Sequence, residues 1–432
     1  MQTIHAWFGK SAPITLLILG FIVGVGGAVG AALFHKLIFL STLAFYSHNG
    51  SGNFIEIVTA MPDWKRVLIP TLGGLLVGII FAVMKVSEAE GEGVPEVMEA
   101  LAVKHGTIRP IVAPVKIITA ALTLGSGGSA GREGPVIQIG SAIGSTIAQL
   151  TKQAAPERSL LLAAGAAAAI GGTFGAPFAG VLFTIEILHH RSFGFVRAGV
   201  IVLAAFTGAY GTKLLLGHEG LRFPLSANLE INAINIAALV VLGIVSALVA
   251  LFFGKILNFS RAVFKKIPIP HIIRPAIGGF FIGLIGLYLP YIHEPAAYPF
   301  MISLITLSTL SISFLLGLLF IKMIATGITL GSGGSGGIFA PLLLMGAITG
   351  SVFASSLLLL NLSSNAFVPT LIIMGMAAVF AGAAHAPLTA SFITYEMTGD
   401  IRFLIPLLMV CFIASFVAKK INQDSVYSLH QK

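Results

Sequence analysis

Three glycine-rich segments, each ending in a proline, carry the groups that could do chemistry. They read GEGVP at 91–95, GREGP at 131–135 and GIFAP at 337–341. Glycine lets a small ion approach the backbone closely, and proline suits the first turn of a helix. A helix start presents unpaired amide groups and about half a positive charge, which attracts anions. The segments therefore predict a small-anion site, and close helix packing is the alternative role for their glycines.

Other classes of site have less support. Gly331, Gly333 and Gly336 spell G-x-G-x-x-G, but a dinucleotide site needs an acidic residue about 20 positions further on, and the first to follow is Glu396. None of the three loops carries the lysine of a Walker motif, and no paired nucleophile and base is evident. The single cysteine, Cys411, lies in an apolar run, so a thiol metal cluster is excluded. We therefore predict no metal, no cofactor and no enzymatic activity.

The composition places these loops in a membrane. Of the 432 residues, 56% are apolar and only 9% are charged, whereas soluble domains carry roughly a quarter charged residues. The length matches about ten membrane crossings of roughly 20 residues each. The net charge of +9 comes from short basic clusters between apolar runs. Such clusters are typical of loops at a lipid bilayer surface, so a nucleic-acid partner is not expected.

Long apolar runs supply the elements that must position the loops. The first, at 13–34, holds 22 uncharged residues without a cleavage site, which predicts a retained helix and not a removed signal peptide. The run at 323–395 holds 73 residues without a charged side chain. One helix of that length does not fit a bilayer core of about 30 Å. We expect several short or broken helices there, with glycine-rich joints that are buried in protein or line a cavity.

The chain also repeats itself. TLGSGGSAGREGP at 123–135 and TLGSGGSGGIFAP at 329–341 match at nine of thirteen positions, and a second set of matches follows at an offset of 210. These matches predict a single membrane transport domain of two copies, roughly 10–190 and 196–420. Repeats with glycine- and proline-broken segments are typical of transporters whose substrate site lies between the copies. The similarity alone does not establish whether the copies are inverted.

Taken together, GREGP, the G-x-F-x-P motif GIFAP, GEGVPEV in place of a GSGIPE-type motif, and the tyrosine of SVYSL resemble the CLC family of chloride channels and anion/proton exchangers. The resemblance implies an all-α polytopic membrane fold of two inverted repeats with broken, tilted helices. It also implies a homodimer in a bacterial inner membrane, with one anion pathway per subunit and both termini cytoplasmic. We expect no cytoplasmic regulatory domain, of the kind that some members append, within these 432 residues.

The resemblance further assigns roles to particular residues. Glu133 corresponds to the gating glutamate, and the amides of Ile338 and Phe339 with the hydroxyl of Tyr427 correspond to the central anion ligands. A carboxylate at the start of a membrane helix can itself occupy an anion position, and protonation removes the charge that holds it there. Anion entry and proton uptake at Glu133 then compete. The full predicted anion-binding set is Ile338, Phe339, Tyr427, Glu92, Gly337, Arg132 and Gly134.

Two positions depart from the family pattern. Glu92 replaces a serine whose hydroxyl helps to hold the anion, and an ionised carboxylate there would repel chloride. Glu92 is therefore protonated, turned toward the cytoplasmic vestibule, or displaced into solvent. Ile187 replaces the second of two adjacent glutamates, which accepts the internal proton in exchangers. Glu186 then either relays protons in place of that residue or, like its repeat mate Glu396, has a structural role.

Two functions remain open at this point. The first, and leading, function is exchange of chloride, or a similar small anion, for protons, gated by Glu133. The second is a passive voltage- or pH-gated anion channel of the same fold, which the missing second glutamate favours.

Overall fold

A computed structural model describes residues 12–48, 53–188, 194–217, 222–223, 232–294, 298–306 and 310–428. Within these ranges the chain forms 17 α-helices and no β-sheet. The first nine are α1 (Pro13–Tyr46), α2 (Phe54–Ala60), α3 (Asp63–Met84), α4 (Val94–Ala102), α5 (Val112–Gly125), α6 (Glu133–Leu150), α7 (Ala155–Phe174), α8 (Pro177–Glu186) and α9 (Phe195–Leu216). The others are α10 (Ala233–Lys266), α11 (Arg274–Tyr288), α12 (Tyr298–Thr306), α13 (Ile312–Gly331), α14 (Phe339–Leu359), α15 (Val368–Ala384), α16 (Pro387–Thr398) and α17 (Leu404–Ile421).

The helices have the composition of a membrane protein. In the described residues, eight helical segments are long and apolar enough to span a bilayer, and three shorter apolar helices of 10–17 residues accompany them. Large apolar side chains on the spans point outward, among them Phe21, Leu214 and Phe416, which are 51%, 67% and 64% exposed. Such exposed apolar surface is stable against lipid and unfavourable in water. The prediction of an integral membrane protein is therefore confirmed.

Helix lengths are uneven, as the apolar runs predicted. Helices α1 and α10 have 34 residues each, which is about 51 Å at about 1.5 Å per residue and exceeds the hydrocarbon thickness of about 30 Å. They must tilt or extend beyond the hydrocarbon. Helices α4 and α8 have 9 and 10 residues, or about 15 Å, and are too short to cross.

The long uncharged run at 323–395 is broken, as predicted. It contains the end of α13, then α14 and α15, and most of α16. The first break contains Gly333, whose φ of 98° is accessible to glycine and strained for other residues. The joint is buried in protein, since Ser332 and Ser335 are 3% and 0% exposed. Non-helical backbone within a membrane protein is tolerated under that condition.

The two copies contact each other reciprocally. The amide of Ser129 donates to Thr329 Oγ1 at 3.1 Å, and the amide of Ser335 donates to Thr123 Oγ1 at 3.1 Å. Both residue pairs are related by the repeat offset of 206, so the same contact is made twice with the partners exchanged. That is the pattern of an isologous interface around a local two-fold axis. The glycine-rich segments lie beside this axis.

Helix α9 packs on α1 and α7, and α17 packs on α10 and α15 in a corresponding way. This match groups α9 with the first copy and favours a boundary after Leu216, later than the boundary near residue 190 in the sequence analysis. The exact limits of the two copies stay a prediction.

Candidate anion site at the repeat interface

The three glycine-rich loops meet between the copies. Gly131 and Gly337 exchange two backbone hydrogen bonds of 2.7 Å, and the amide of Gly336 donates to the Gly91 carbonyl at 3.3 Å. A Cβ on Gly134 would lie 2.9 Å from the Cα of Gly337 and would collide with the Glu92 carbonyl. Glycine is therefore required at 134 by the close approach of all three loops.

Each loop leads into a helix start. Helices α4, α6 and α14 begin at Val94, Glu133 and Phe339, so each loop's proline lies in a first turn, where its missing N–H costs no intrahelical hydrogen bond. In α14 the ladder of hydrogen bonds begins when Leu342 donates to the Ile338 carbonyl at 2.9 Å. The amides that precede Leu342 have no acceptor inside the helix and carry its partial positive charge.

The Glu133 side chain accepts a hydrogen bond from one of these amides. It is fully buried, and its Oε2 accepts a hydrogen bond of 3.2 Å from the amide of Ala340, in the first turn of α14. The anion was predicted at the neighbouring amides of Ile338 and Phe339. The carboxylate of the first copy thus occupies the helix start of the second copy, beside that predicted anion position.

Arg132 and Tyr298 surround the same carboxylate. The Tyr298 hydroxyl donates to Glu133 Oε1, and Arg132 Nε lies 3.9 Å from that oxygen. The Arg132 guanidinium lies over the Tyr298 ring, 5.0 Å from its centre, and reaches Nδ1 of His35 at 3.1 Å. Tyr298 was missed by the sequence analysis, which treated it as part of an apolar run. The one feature of the sequence that could have indicated Tyr298 is its phenol hydroxyl, which needs a hydrogen-bond partner when it is buried.

The remaining predicted ligands lie in the same buried region. Ile338, Phe339 and Tyr427 are 1%, 3% and 2% exposed. The Phe339 ring packs between those of Phe174 and Phe380, with ring centres 4.9 and 4.3 Å away.

Tyr427 comes from the C-terminal tail. The amide of its neighbour Val426 donates to the Ala383 carbonyl at 3.0 Å and fixes the tail to α15. The Tyr427 phenol interacts electrostatically with the carboxylates of Glu92 and Glu133. The tail therefore brings the phenol into the neighbourhood of both carboxyl groups.

Comparison with known proteins agrees with this arrangement. The family described as "Voltage gated chloride channel" matches residues 73–419. This chain belongs to the CLC family. It is 29% identical over 416 residues to the voltage-gated ClC-type chloride channel ClcB of Citrobacter koseri, covering 96% of this chain and 98% of that protein. The ClcB of an Escherichia coli strain is 28% identical, with the same coverage.

Solved structures share the fold. A slow cyanobacterial Cl⁻/H⁺ antiporter superimposes with a TM-score of 0.83 and 25% identity, covering 96% of both chains. A CLC-type fluoride/proton antiporter superimposes with a TM-score of 0.81 and 23% identity, covering 96% of this chain and 97% of that one. The expected CLC fold is confirmed.

In this CLC protein Glu92 is paired with a cation, which the sequence analysis did not foresee. Its side chain is 1% exposed and forms an ion pair through Oε1 with Arg261 of α10. Displacement of Glu92 into solvent, one of the three alternatives, is therefore wrong. Nearby, Lys116 is buried and donates to the carbonyls of Ala89 and Gly91 at 3.1 and 2.7 Å.

Glu186 makes hydrogen bonds to a helix start through both oxygens. Oε1 accepts from the amide of Leu388 at 2.9 Å, and Oε2 accepts from the amide and hydroxyl of Thr389 at 2.6 and 2.7 Å. Its repeat mate Glu396 accepts from the amides of Phe178 and Ala179 at 3.1 and 2.8 Å. The two glutamates therefore cap the starts of α16 and α8 reciprocally. A role for Glu186 in proton transfer stays a prediction.

Proposed function

We propose that this CLC protein exchanges chloride, or a similar small anion, for protons across a membrane, with Glu133 as the gate. The supporting observation is the carboxylate of Glu133 on the amide of Ala340 at the start of α14. A negatively charged oxygen in that position competes directly with a free anion. Loss of its charge removes most of its attraction to the helix start.

The exchange cycle follows from this competition. While Glu133 is ionised, its carboxylate holds the helix start and the pathway is closed. When Glu133 takes up a proton, the neutral side chain leaves, and an anion binds at the amides of Ile338 and Phe339 and the hydroxyl of Tyr427. When the proton departs, the restored carboxylate displaces the anion. Anion and proton thus occupy the site alternately, which couples their opposite movements.

The other predicted residues complete this site. Gly337 and Gly134 allow the loops to approach the ion, and Arg132 adds positive potential beside Glu133. We further propose that two copies form a homodimer in a bacterial inner membrane, with one pathway in each subunit and both termini cytoplasmic.

A passive chloride channel is the second candidate. Ile187 is not titratable, and the adjacent Glu186 has donors on both oxygens, so the position that the family resemblance gives to the internal proton acceptor lacks a free carboxyl group. The ClcB relatives are also named as channels.

Reversal potentials in liposomes separate the two candidates. Purified protein is reconstituted under opposed chloride and proton gradients, and both fluxes are recorded. An exchanger moves protons uphill when chloride runs downhill, and its reversal potential depends on both gradients. A reversal potential equal to that of chloride alone, without proton movement, would contradict exchange and favour the channel.

The variant Glu133→Gln tests the gate in the same assay. Glutamine mimics the protonated carboxyl group and cannot ionise, so proton movement should disappear while anion flux continues. Glu56→Gln, at an exposed position of helix α2, is the matched control and should behave like the wild type. Proton movement that persists in Glu133→Gln would remove Glu133 from the mechanism.

A further inference from the structure

Glu133 is fully buried, so any proton that reaches it must travel through the protein. A cavity of about 190 Å³ opens on one side of α4 and is lined by Glu96 together with Lys104, Arg109 and Gln138. The side chains of Lys104 and Arg109 are 41% and 51% exposed, which places the mouth of this cavity at the protein surface. Glu96 is therefore a titratable group that a proton can reach from outside.

Glu96 connects this cavity to the loop of Glu92. It lies in the first turn of α4, and its Oε2 accepts a hydrogen bond of 2.7 Å from the amide of Gly93. Glu96 is half-buried as a residue, and its carboxyl group interacts electrostatically with Lys116 and Glu92. Glu96 directly follows the loop at 91–95 in the sequence, so a proton on Glu96 lies next to the loop that enters the predicted anion site.

Glu92 has one carboxylate oxygen available for a proton. Oε1 is held by Arg261, whereas Oε2 is buried and has no hydrogen-bond partner among the described residues. Buried carboxylate oxygens nearly always have a donor, so an oxygen without one calls for an explanation. A proton that binds transiently at Oε2 supplies that explanation.

Several titratable groups surround Glu92. Three carboxyl groups, Glu90, Glu92 and Glu96, interact with Lys116, and Glu92 also pairs with Arg261. The titratable and charged groups that face this cluster are Arg261, Lys116 and Tyr427 at Glu92, His271 at Glu90, and Glu88, Lys104 and Arg109 in the cavity beside Glu96.

We propose that protons reach Glu133 from this cavity by way of Glu96 and Glu92, and not by way of Glu186. The proposal rests on the exchange function above, since a passive channel needs no proton route. It gives the buried oxygen of Glu92 a role, and it leaves Glu186 to hold the start of α16, where both of its oxygens already have donors.

Each transfer is a simple exchange of protons. Glu96 takes a proton from water in the cavity and passes it to Oε2 of Glu92, which returns Glu96 to its carboxylate form. Glu92 then gives up this proton to the Glu133 carboxylate; the Tyr427 phenol interacts electrostatically with both carboxyl groups. Glu92 becomes an anion again and keeps its pair with Arg261. One proton has moved from the cavity to Glu133.

Proton and chloride fluxes in liposomes test this route. The variants are Glu96→Gln and Glu92→Gln, with Glu99→Gln as the matched control on an exposed position of the same helix. Removal of a positioned proton-transfer group should slow proton flux by about 100-fold in both site variants. Coupled anion flux should fall with it, because the pathway opens only when Glu133 is protonated, while Glu96→Gln should bind chloride with wild-type affinity. Glu99→Gln and Glu186→Gln should keep the wild-type proton flux.

The outcomes separate the route from the function. A wild-type protein that moves no protons would overturn the exchange function itself. If the wild-type protein exchanges protons for anions, and both Glu96→Gln and Glu92→Gln keep the wild-type proton flux, the route alone would be overturned. If Glu92→Gln does not fold, Glu96→Gln decides the test, with chloride binding by calorimetry as the check that its site is intact. Loss of proton flux in Glu186→Gln, with wild-type proton flux in Glu96→Gln, would assign the proton-transfer role to Glu186.

Discussion

The substitution Tyr298→Phe should release the gate without touching the anion ligands. The Tyr298 hydroxyl donates to Glu133 Oε1, and the ring lies under the Arg132 guanidinium. Phenylalanine keeps the ring and its packing against Arg132 and removes only the donor. The carboxylate of Glu133 then retains the Ala340 amide as its partner.

The magnitude follows from the kind of hydrogen bond that is lost. A hydrogen bond to a charged group contributes about 1.5–3 kcal/mol, and about 1.4 kcal/mol is a factor of ten in an equilibrium. The closed state should therefore lose about 10-fold to 100-fold in population relative to the open state. The hydroxyl favours the ionised carboxylate, so its removal favours protonation, and the midpoint of activation should move to higher pH by about one to two units.

The assay is chloride efflux from liposomes between about pH 4.5 and 8. Tyr288→Phe is the matched control, because Tyr288 is 87% exposed at the end of α11. Tyr298→Phe should be more active than the wild type at neutral pH and equal to it at low pH, where Glu133 is already protonated. Superimposable pH profiles for Tyr298→Phe and the wild type would show that the phenol does not hold the gate.

Three further substitutions test Tyr427 and the two capping glutamates. Tyr427→Ala should weaken chloride binding in calorimetry and loosen the ratio of protons to anions, because the phenol is a predicted ligand; wild-type affinity would place the ion elsewhere. Glu186→Gln should lower the midpoint of thermal unfolding in detergent, since one acceptor oxygen at the start of α16 becomes an amide donor at a cost of about 1–3 kcal/mol. Glu396→Gln, its symmetry mate, should show a similar decrease, and an unchanged midpoint in both would contradict a capping role.

Local features predicted much of the fold and part of the site. Apolar runs interrupted by glycine and proline predicted the membrane helices and the breaks between α13, α14 and α15, because these residues act on the backbone at their own position. The repeat predicted that GREGP and GIFAP are equivalent, and Gly131 and Gly337 are in fact paired across the interface. These inferences needed no knowledge of which distant residues touch.

The partners of the charged residues could not be predicted in this way. Arg261 lies 169 positions from Glu92, and Tyr298 lies 165 positions from Glu133. Nothing in the local pattern around Arg261, in the second half of a long helix, distinguishes it from a residue at the membrane surface. Only the packing of α10 against the first loop turns a carboxylate that should repel anions into one half of a buried ion pair.

The two copies differ at the proposed anion site. Equivalent positions keep the contacts that build the scaffold, as in Thr123 and Thr329 or Glu186 and Glu396. The turn after the paired glycines reads Arg-Glu-Gly in the first copy and Ile-Phe-Ala in the second. One copy therefore supplies a carboxylate and the other a helix start that has no carboxylate of its own, and the local two-fold axis brings them together. A symmetric pair would place two carboxylates or two bare helix starts side by side, and neither arrangement would let a proton and an anion compete for one position.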